Sequence, residues 1–189
     1  NNLLYDMRDN SGIAVFREDG GAASSRILIA NNTVLMRADG GWAVNVTHPD
    51  CRDIRIVNNI LLSRHRWRGA VALARPRPAG VVCDYNALAP RFSGDAGETR
   101  TDWAAWRALG YDRHSVVATE AELFAAGGDP RRLKWGGVAI DRGRPLPEVR
   151  RDAAGWPRPL DGDGDGRADW DLGAFEFAPD SASRGEGRP

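Results

Sequence analysis

The chain has 189 residues, of which 42% are hydrophobic and 28% charged, a composition ordinary for a folded protein with one sizeable core. Lys and Arg together number 26, as do Asp and Glu, and the resulting net charge of zero gives no reason to expect nucleic-acid binding. No apolar run approaches the roughly 20 residues that a helix needs to cross a bilayer, so we expect no membrane span.

A repeat occupies residues 1–90. Asn-Asn pairs, or a near match, recur along this part of the chain, and their second members are 30, 27 and 27 residues apart (Asn2, Asn32, Asn59 and Asn86). A second marker keeps a similar period, because short Gly-led segments begin 29 and then 28 residues apart (Gly12, Gly41 and Gly69). Two independent markers with a shared period indicate stacked structural units.

Short apolar runs precede the Asn corners, at 27–30, 54–57 and 81–84. They are too short for helices and rich in β-branched residues, so we predict strands. A unit of this length cannot bury its own apolar face, whereas stacking buries that face against the next coil, at a strand spacing of about 4.8 Å. The leucine spacing of the alternative, a leucine-rich repeat, is absent. The predicted fold is therefore an all-β solenoid, a parallel β-helix.

The alignment of the repeats predicts which side chains stack. Apolar columns are expected to face inward, and Asn residues fall in register at the corner between them, where amides can hydrogen-bond from coil to coil. The predicted apolar columns are Ile27, Ile54 and Val81; Ile29, Ile56 and Cys83; and Leu4, Val34, Leu61 and Leu88, with Asn32, Asn59 and Asn86 at the corner.

Residues 91–135 are predicted to leave the coils as a short helical excursion packed on the solenoid. Asp102 can cap a helix over 103–109 that stops at Gly110, and a second short helix is predicted over 120–126.

The remaining residues are predicted to close the fold. We expect residues 136–177 to return as a C-terminal cap on the open end of the last coil, which would otherwise expose an unpaired edge. Residues 178–189 are rich in Ser, Gly, Pro and charge, and we predict a disordered tail.

The two cysteines are too few for a disulfide framework. In the predicted register Cys83 faces inward, and Cys51 lies in a loop five residues before Ile56. That separation spans about 16 Å along a strand, far beyond the roughly 4–7 Å between Cα atoms that a disulfide tolerates. We predict two unpaired, inert thiols.

Several segments resemble the right-handed parallel β-helix (pectin-lyase-like) superfamily. The NNTVL and NNILL corners, followed by a coil that contains DYN, look like its last turns. Gly110–Ser115 is similar to the G-x-D-x-H-S segment that often follows the final coils in bacterial members. The closing A-I-D-x-G, R-P and D-I-G-A-x-E elements are matched at 139–143, 158–159 and 171–176, with Gly137-Val138 in place of the usual Ser-Pro.

The resemblance covers residues 1 to about 177 and is specific for architecture. It implies the C-terminal coils of a secreted bacterial protein, located outside the cell, in the periplasm or on the cell surface. The chain opens on Asn1-Asn2 without an initiating Met or a leader, so we expect further coils and any signal peptide to lie upstream.

The same resemblance implies a carbohydrate-active protein, a polysaccharide lyase or a glycoside hydrolase whose catalytic residues lie partly upstream. Because this superfamily hosts several activities, the alternative is a non-catalytic surface or adhesive β-helix that binds polysaccharide or only presents a scaffold. An accessory module for an upstream catalytic region is a third possibility. We expect a monomer whose partner is a polysaccharide, an acidic one if the arginines bind it.

An acidic loop over 161–169 is the strongest local motif. Aspartates alternate with glycines, so a tight turn can direct three carboxylates at one centre, as in the first part of an EF-hand calcium loop. The twelfth position is Leu172, and Asp171 is the expected substitute for the missing Glu. We predict a structural calcium site, the alternative being a solvated acidic turn. The predicted ligands are Asp161, Asp163, Asp165, Arg167 through its carbonyl, Asp169 and Asp171.

An Arg-rich loop follows the NNILLS corner. Arg side chains there could bind sugar carboxylates, and Trp67 could stack on a sugar ring. Loops at corresponding corners share one side of a solenoid, and we place His48 in the equivalent loop of the preceding coil. The predicted substrate-binding residues are Arg64, His65, Arg66, Trp67, Arg68 and His48. The alternative is a solvated loop with Trp67 packed on its neighbours, and His114 is expected to be a turn residue.

Overall fold

The structure is a computed structural model that describes residues 1–178. The predicted disordered tail therefore lies, apart from Ala178, outside the described residues. No helix within 1–178 is long and apolar enough to cross a membrane.

The described residues form short strands and two short helices. The strands are β1 (Leu3–Met7), β2 (Ile13–Val15), β3 (Ser25–Ala30), β4 (Thr33–Met36), β5 (Val44–Val46), β6 (Arg52–Val57), β7 (Ile60–Ser63), β8 (Val71–Leu73), β9 (Val82–Asp84), β10 (Ala87–Leu88), β11 (Phe92–Ser93) and β12 (Val116–Val117). The helices are α1 (Trp103–Ala108) and α2 (Glu120–Leu123).

Three parallel sheets run along the molecule. Sheet A has the order β1-β4-β7-β10-β12, sheet B the order β2-β5-β8-β11, and sheet C the order β3-β6-β9. Each strand pairs in parallel with the strand three places later along most of the chain, so one strand from each sheet makes one coil and the coils stack. The predicted parallel β-helix is confirmed.

The strand register confirms the predicted interior columns. Ile27 pairs with Ile54; Ile29, Ile56 and Cys83 align; and Leu4, Val34, Leu61 and Leu88 align. These residues belong to a single apolar cluster inside the coils, and Val34, Ile54, Ile56, Leu61 and Leu88 are fully buried.

The strands of the Gly-led segments stack, but their glycines are not level with one another. Ile13 pairs with Val44, and Val44 pairs with Val71. Gly41 therefore lies level with Asn10, whose carbonyl accepts its N–H at 2.9 Å. The loop 37–43 between β4 and β5 is longer than the loop 8–12 between β1 and β2, and this extra length moves the glycine out of the column.

The predicted Asn ladder is present at the corner between sheets C and A. The backbone N–H and the side-chain amide of each Asn both donate to the Oδ1 of the Asn in the next coil, at 2.8–3.0 Å (Asn2 to Asn32, Asn32 to Asn59, Asn59 to Asn86). At the last rung Asn86 donates instead to the Ser115 hydroxyl and the Asp112 carboxylate. The ladder therefore has a direction, because the Asn of each coil donates toward the C-terminal coils.

Helix α1 covers the interior at the end of the last coil. Its first turn is capped as predicted, because the Asp102 carboxylate accepts the N–H of Ala105 at 2.9 Å. The fully buried Trp106 stacks on Phe92 with ring centroids 4.8 Å apart and donates to Asp112 at 2.7 Å. Apolar surface that a further coil would otherwise cover is thereby removed from water.

Residues 136–177 pack along the outer side of the coils, whereas we expected them to cap the open end. Gly173 donates to the Asn58 carbonyl at 2.8 Å, and Ala174 donates to the Thr33 hydroxyl at 3.0 Å. Leu172 joins Ile60 in an outer apolar cluster. The outward face of sheet A is apolar, and covering it is the physical reason for this path.

The excursion also contains two strands that the sequence did not reveal. β11 adds to sheet B beside β8. β12 adds to sheet A beside β10. α2 ends earlier than predicted, because Phe124 is extended (φ −113°, ψ 151°) and bridges to Leu133. Thr119 and Glu122 form a capping box at its start.

Both cysteines are free and buried, in agreement with the prediction of two unpaired thiols. Cys51 lies in the loop before β6, but its side chain belongs to the interior cluster. Burial raises the pKa of Cys83 well above its usual range, which disfavours the reactive thiolate.

Candidate functional site

The predicted sugar-binding residues lie at two different corners of the coil. Residues 64–68 follow β7 and lead from sheet A to sheet B, whereas His48 follows β5 and leads from sheet B to sheet C. The loop of the preceding coil that corresponds to 64–68 is 37–43. Three corners per coil make loops at different corners diverge, so His48 does not share a groove with Arg64–Arg68 as the sequence analysis assumed.

Arg64 is held by a residue that the sequence analysis did not select. Its guanidinium makes two parallel hydrogen bonds to the Glu120 carboxylate, at 2.7 and 2.6 Å. Hydrogen bonding and charge from Glu120 raise the pKa of Arg64. Glu120 is the first residue of α2, so the excursion supplies the counter-charge to the coil.

His65 shapes the loop. Its Nδ1 accepts the backbone N–H groups of Trp67 and Arg68, both at 2.9 Å. Burial, and then the charge of Arg68, lower the pKa of His65. The neutral ring with an acceptor at Nδ1 therefore closes a turn, which explains its place in the sequence without a bound sugar.

Trp67 is open to solvent on only part of its surface. Its side chain is 44% exposed, and the Arg100 guanidinium lies 5.4 Å from the ring centroid. Arg100 also donates to the Arg66 carbonyl at 3.4 Å, and Arg68 donates to the Gly40 carbonyl at 3.4 Å. The cation over the ring competes with any sugar that would stack there.

Two adjoining cavities lie beside this loop, and we call them together the axial trough. One, of about 270 Å³, is lined by residues that include Tyr5, Asp6, Leu35, Arg37 and Pro130. The other, of about 370 Å³, is lined by residues that include Ser63, Pro90, Arg91 and Thr119. The Arg64–Glu120 ion pair lines both cavities. Because β1, β4 and β7 and then residues 89–91, which follow β10, contribute in turn, the trough crosses successive coils along the solenoid.

The charges of the axial trough alternate and are paired. Arg37 contacts Asp6 at 3.1 Å and Asp39 at 3.2 Å, and Arg64 contacts Glu120. Tyr5 is 61% exposed beside them. Guanidinium groups offer hydrogen-bond donors, and carboxylates offer acceptors, next to an open aromatic ring. Such a surface suits the hydroxyl groups and apolar faces of sugars.

Arg91, at the end of the trough, has a structural role. Its guanidinium donates to the carbonyls of Ser63 at 2.7 Å and Arg68 at 3.0 Å. Burial lowers the pKa of Arg91. These bonds tie the Arg-rich loop to the last coil and thereby fix one wall of the trough.

The acidic loop gathers three carboxylates, one of which the sequence analysis missed. Oxygen atoms of Asp141, Asp161 and Asp163 all lie within 4.8 Å of one another. Asp141 also accepts the N–H groups of Gly162 at 3.0 Å and Asp163 at 2.8 Å. Burial raises the pKa of Asp141, and the charge of Asp163 adds to this effect. A motif defined by neighbouring positions could not reveal Asp141, because this residue is distant from the loop in sequence.

The other predicted calcium ligands do not join this cluster. Asp165 accepts the N–H of Arg167 at 2.8 Å, and the Arg167 side chain contacts Asp169 at 3.4 Å. Asp171 is buried, and its carboxylate accepts the N–H groups of Asp141 at 2.7 Å and Phe177 at 2.5 Å. Asp171 therefore positions Asp141 and does not complete the loop.

A buried ionic network supports the base of the acidic loop. Arg158 and Glu176 form an ion pair whose side chains are both fully buried. Glu176 also accepts the N–H groups of Leu160 at 2.9 Å and Asp171 at 3.1 Å. Burial raises the pKa of Asp171 to about 8, with the Glu176 charge as a further cause. The network thereby joins the chain that enters the loop to the chain that leaves it.

His114 has a more defined environment than the turn expected for it. Its Nδ1 lies 2.7 Å from the Asp84 carboxylate, its backbone N–H donates to the same group at 2.7 Å, and its ring stacks on Tyr85 with centroids 4.7 Å apart. This pair lines neither cavity of the axial trough.

Comparison of the chain with family models, with curated proteins and with solved structures finds no match in any of the three. The site is therefore interpreted from its own geometry.

Proposed function

We propose that this chain is the C-terminal part of a secreted, carbohydrate-active β-helix protein and that it binds polysaccharide along the axial trough. The observation that carries this proposal is the trough itself, two cavities that share the Arg64–Glu120 pair, draw their lining from successive coils and present paired carboxylates and guanidinium groups beside Tyr5. An extended polymer can contact several coils at once along such cavities, and the first three coils add Asp6, Arg37 and Arg64 in turn.

The pairing of charges favours a ligand that offers hydroxyl groups. A uronate would have to displace Asp6 from Arg37, or Glu120 from the two bonds that it makes with Arg64. Sugar hydroxyls can instead donate to the carboxylates and accept from the free guanidinium N–H groups without breaking the pairs. A neutral polysaccharide is therefore a better fit than the acidic one suggested by the arginines alone.

The trough residues support binding more directly than cleavage. Asp6 and Glu120, its two carboxylates that line a cavity, are both engaged in ion pairs. A general acid needs a raised pKa, and a nucleophile or base needs a free lone pair aimed at the reacting atom. We propose that a lyase or hydrolase step, if the protein performs one, uses residues other than these.

Substitution in the axial trough tests this proposal. Arg64→Ala should weaken retention of the chain on a neutral polysaccharide by about tenfold to a hundredfold, since a hydrogen bond to a charged group contributes about 1.5–3 kcal/mol. Tyr5→Ala should also weaken retention, because the exposed ring that would contact the apolar face of a sugar is lost. The measurement is affinity electrophoresis against a panel of neutral and uronate-rich polymers. The melting temperature should change little, because the Arg64–Glu120 pair is exposed.

Matched exposed residues outside the trough serve as controls. Trp156→Ala and Arg52→Ala remove an exposed aromatic ring and an exposed guanidinium elsewhere on the surface, and both variants should bind as the parent does. If Trp67→Ala abolishes binding while Tyr5→Ala and Arg64→Ala leave it intact, the Arg-rich loop is the sugar site. Retention on none of the polymers contradicts the proposal.

We also propose that the acidic loop binds calcium through Asp141, Asp161 and Asp163. Three carboxylates from two segments of the chain converge, with oxygen atoms within 4.8 Å of one another. A bound cation would offset the repulsion between like charges this close, which backbone N–H groups also reduce, and calcium prefers oxygen ligands in flexible geometry. The ion would have a structural role, since it would join the loop to Asp141, which lies earlier in the segment that covers sheet A.

A further inference from the structure

The two ends of the solenoid differ. At the last coil Trp106 covers the interior, and Asp112 and Ser115 accept the final hydrogen bonds of the Asn ladder. At the first coil the interior opens into a cavity of about 570 Å³, which is lined by residues of β1, β2 and β3 together with Asn1 and Asn2.

Burial along the interior columns shows that the first coil lacks a neighbour. Three of its inward side chains are only partly buried, whereas the residues that follow them in the same columns are fully buried (Leu4, Ile13 and Ile27 against Val34, Val44 and Ile54). β1, β2 and β3 are also the edge strands of their sheets, so one side of each backbone is unpaired within the described residues.

The Asn ladder specifies what could occupy this face. Asn2 gives its backbone N–H and its side-chain amide to Asn32 at 3.0 and 2.8 Å. The Oδ1 of Asn32 thus receives two donors, whereas the Oδ1 of Asn2 receives none from the described residues. The vacant rung therefore accepts hydrogen bonds, and the group that completes it must donate two.

The backbone nitrogen of Asn1 already occupies the position that the strand pairing of the later coils requires. Asn1 donates to the Ala30 carbonyl at 3.2 Å, as Asn31 donates to the Val57 carbonyl at 3.3 Å. A strand joined to Asn1 would therefore run parallel to β3 and pair with its open edge.

We propose that this face docks one further parallel β-coil of the same polarity, whose corner Asn donates its backbone N–H and side-chain amide to the Oδ1 of Asn2. A second copy of this chain does not satisfy the same geometry. In a head-to-head pair, two Asn2 acceptors would face each other without a donor between them. In a head-to-tail pair, the docking face would meet the end that α1 already covers.

The test adds such a coil to the whole chain. Residues 31–57 are copied and placed before Asn1, so that the copied Asn32 falls at the vacant rung. Amide hydrogen exchange in β1, β2 and β3, at the amides that face away from the next coil, is compared with that of the unextended chain and of a chain with a scrambled extension. We expect the copied coil to slow exchange at these amides at least tenfold, and the same extension carrying Asn32→Leu to slow it less.

A second graft places residues 58–84 before Asn1. Because its side chains differ from those of the first graft, the result does not depend on one particular coil sequence. If both grafts leave exchange as fast as the scrambled extension does, the proposal is overturned. Sedimentation of the unextended chain gives a separate check. A stable dimer in which the β1 amides already exchange slowly would show that a second copy occupies the face, which also overturns the proposal.

Discussion

Asn59 shows how one polar side chain can hold three coils of an apolar core together. Its amide donates to the carbonyls of Ile29 and Val57 and to the Oδ1 of Asn86, all at 2.9–3.0 Å. Its own Oδ1 accepts two bonds from Asn32 at 2.9 Å. The side chain is completely buried and fully hydrogen-bonded, which is the condition under which a buried amide stabilises a fold.

Replacing this amide should be costly. Asn59→Leu removes every side-chain bond of the middle rung and leaves the buried backbone N–H and side-chain amide of Asn32 without their acceptor. We expect the free energy of unfolding to fall by about 1–3 kcal/mol for each buried group left unpaired. Urea denaturation measures it. Asn10→Leu is the control, because Asn10 is exposed and no ladder bond depends on it. Equal stability of the two variants would contradict the ladder.

Residue-scale prediction succeeded where the sequence is periodic. The Asn rungs recur with the coils, so alignment alone identified them. Asp141 and Glu120 were missed because their partners, the acidic loop and Arg64, are distant in sequence, and only packing of the C-terminal segment and the excursion brings them together. Asp171 was selected for its spacing, but burial turns its carboxylate toward two backbone N–H groups.

At the scale of elements, α1 closes the solenoid through one side chain. Trp106 packs between Phe92 and Tyr111, with ring centroids 4.8 and 4.6 Å away. Its indole N–H satisfies Asp112, whose pKa is raised by burial. A six-residue helix has little stability of its own, so this packing holds it in place.

Truncation of this side chain should destabilise the whole chain. We expect Trp106→Ala to lower the free energy of unfolding by about 3–5 kcal/mol, the usual cost of removing a buried aromatic ring. Calorimetry measures it. Leu109→Ala is the control, because Leu109 follows the same helix and is 41% exposed. A loss for Trp106→Ala no greater than that for Leu109→Ala would show that α1 does not close the core.

The acidic loop makes a prediction that needs no sugar. Millimolar calcium should raise the melting temperature and a chelator should lower it, because an ion bound only by the folded state stabilises it by about 2.7 kcal/mol at a hundredfold excess over its Kd. Magnesium should substitute poorly, since it prefers a smaller octahedral site.

Variants of the loop separate the three converging carboxylates from the rest. Asp141→Asn and Asp163→Asn should each abolish the calcium response, whereas Asp165→Asn should keep it, because Asp165 lies outside the cluster. A melting temperature that ignores calcium, or a response lost equally in all three variants, would contradict the assignment of these ligands.

Element-scale prediction was accurate for the strands within residues 1–90 and less so for the later segments, where β11 and β12 were missed. The strands follow from β-branched runs that repeat with the coils, and the start of α1 follows from its Asp102 cap. The path of residues 136–177 could not be read in this way, because it depends on the outward face of sheet A. That face is apolar and must be shielded from water. The alternation of apolar and polar side chains along one strand does not show which segment of the chain shields it.

For the whole molecule, the stacking of coils explains both the core and the candidate site. Parallel register places like residues above one another, so the interior forms continuous apolar columns. The same register aligns the loops that follow sheet A, and the excursion supplies the opposite wall. The axial trough is thus a consequence of the whole fold. His48 fell outside it because the repeat gives the period of the coils but does not identify which of the three corners a loop follows.

The most direct test of the account is a chemical-shift map of the isotope-labelled chain titrated with neutral oligosaccharides. Binding along the axial trough predicts that the shifted amides are those of Asp6, Arg37, Arg64, Glu120 and their neighbours, drawn from several coils and from α2. The shifts should grow with oligosaccharide length until the ligand spans the trough. Shifts confined to residues 66–68 or to the His114–Asp84 pair, or no shifts with any oligosaccharide, would contradict it.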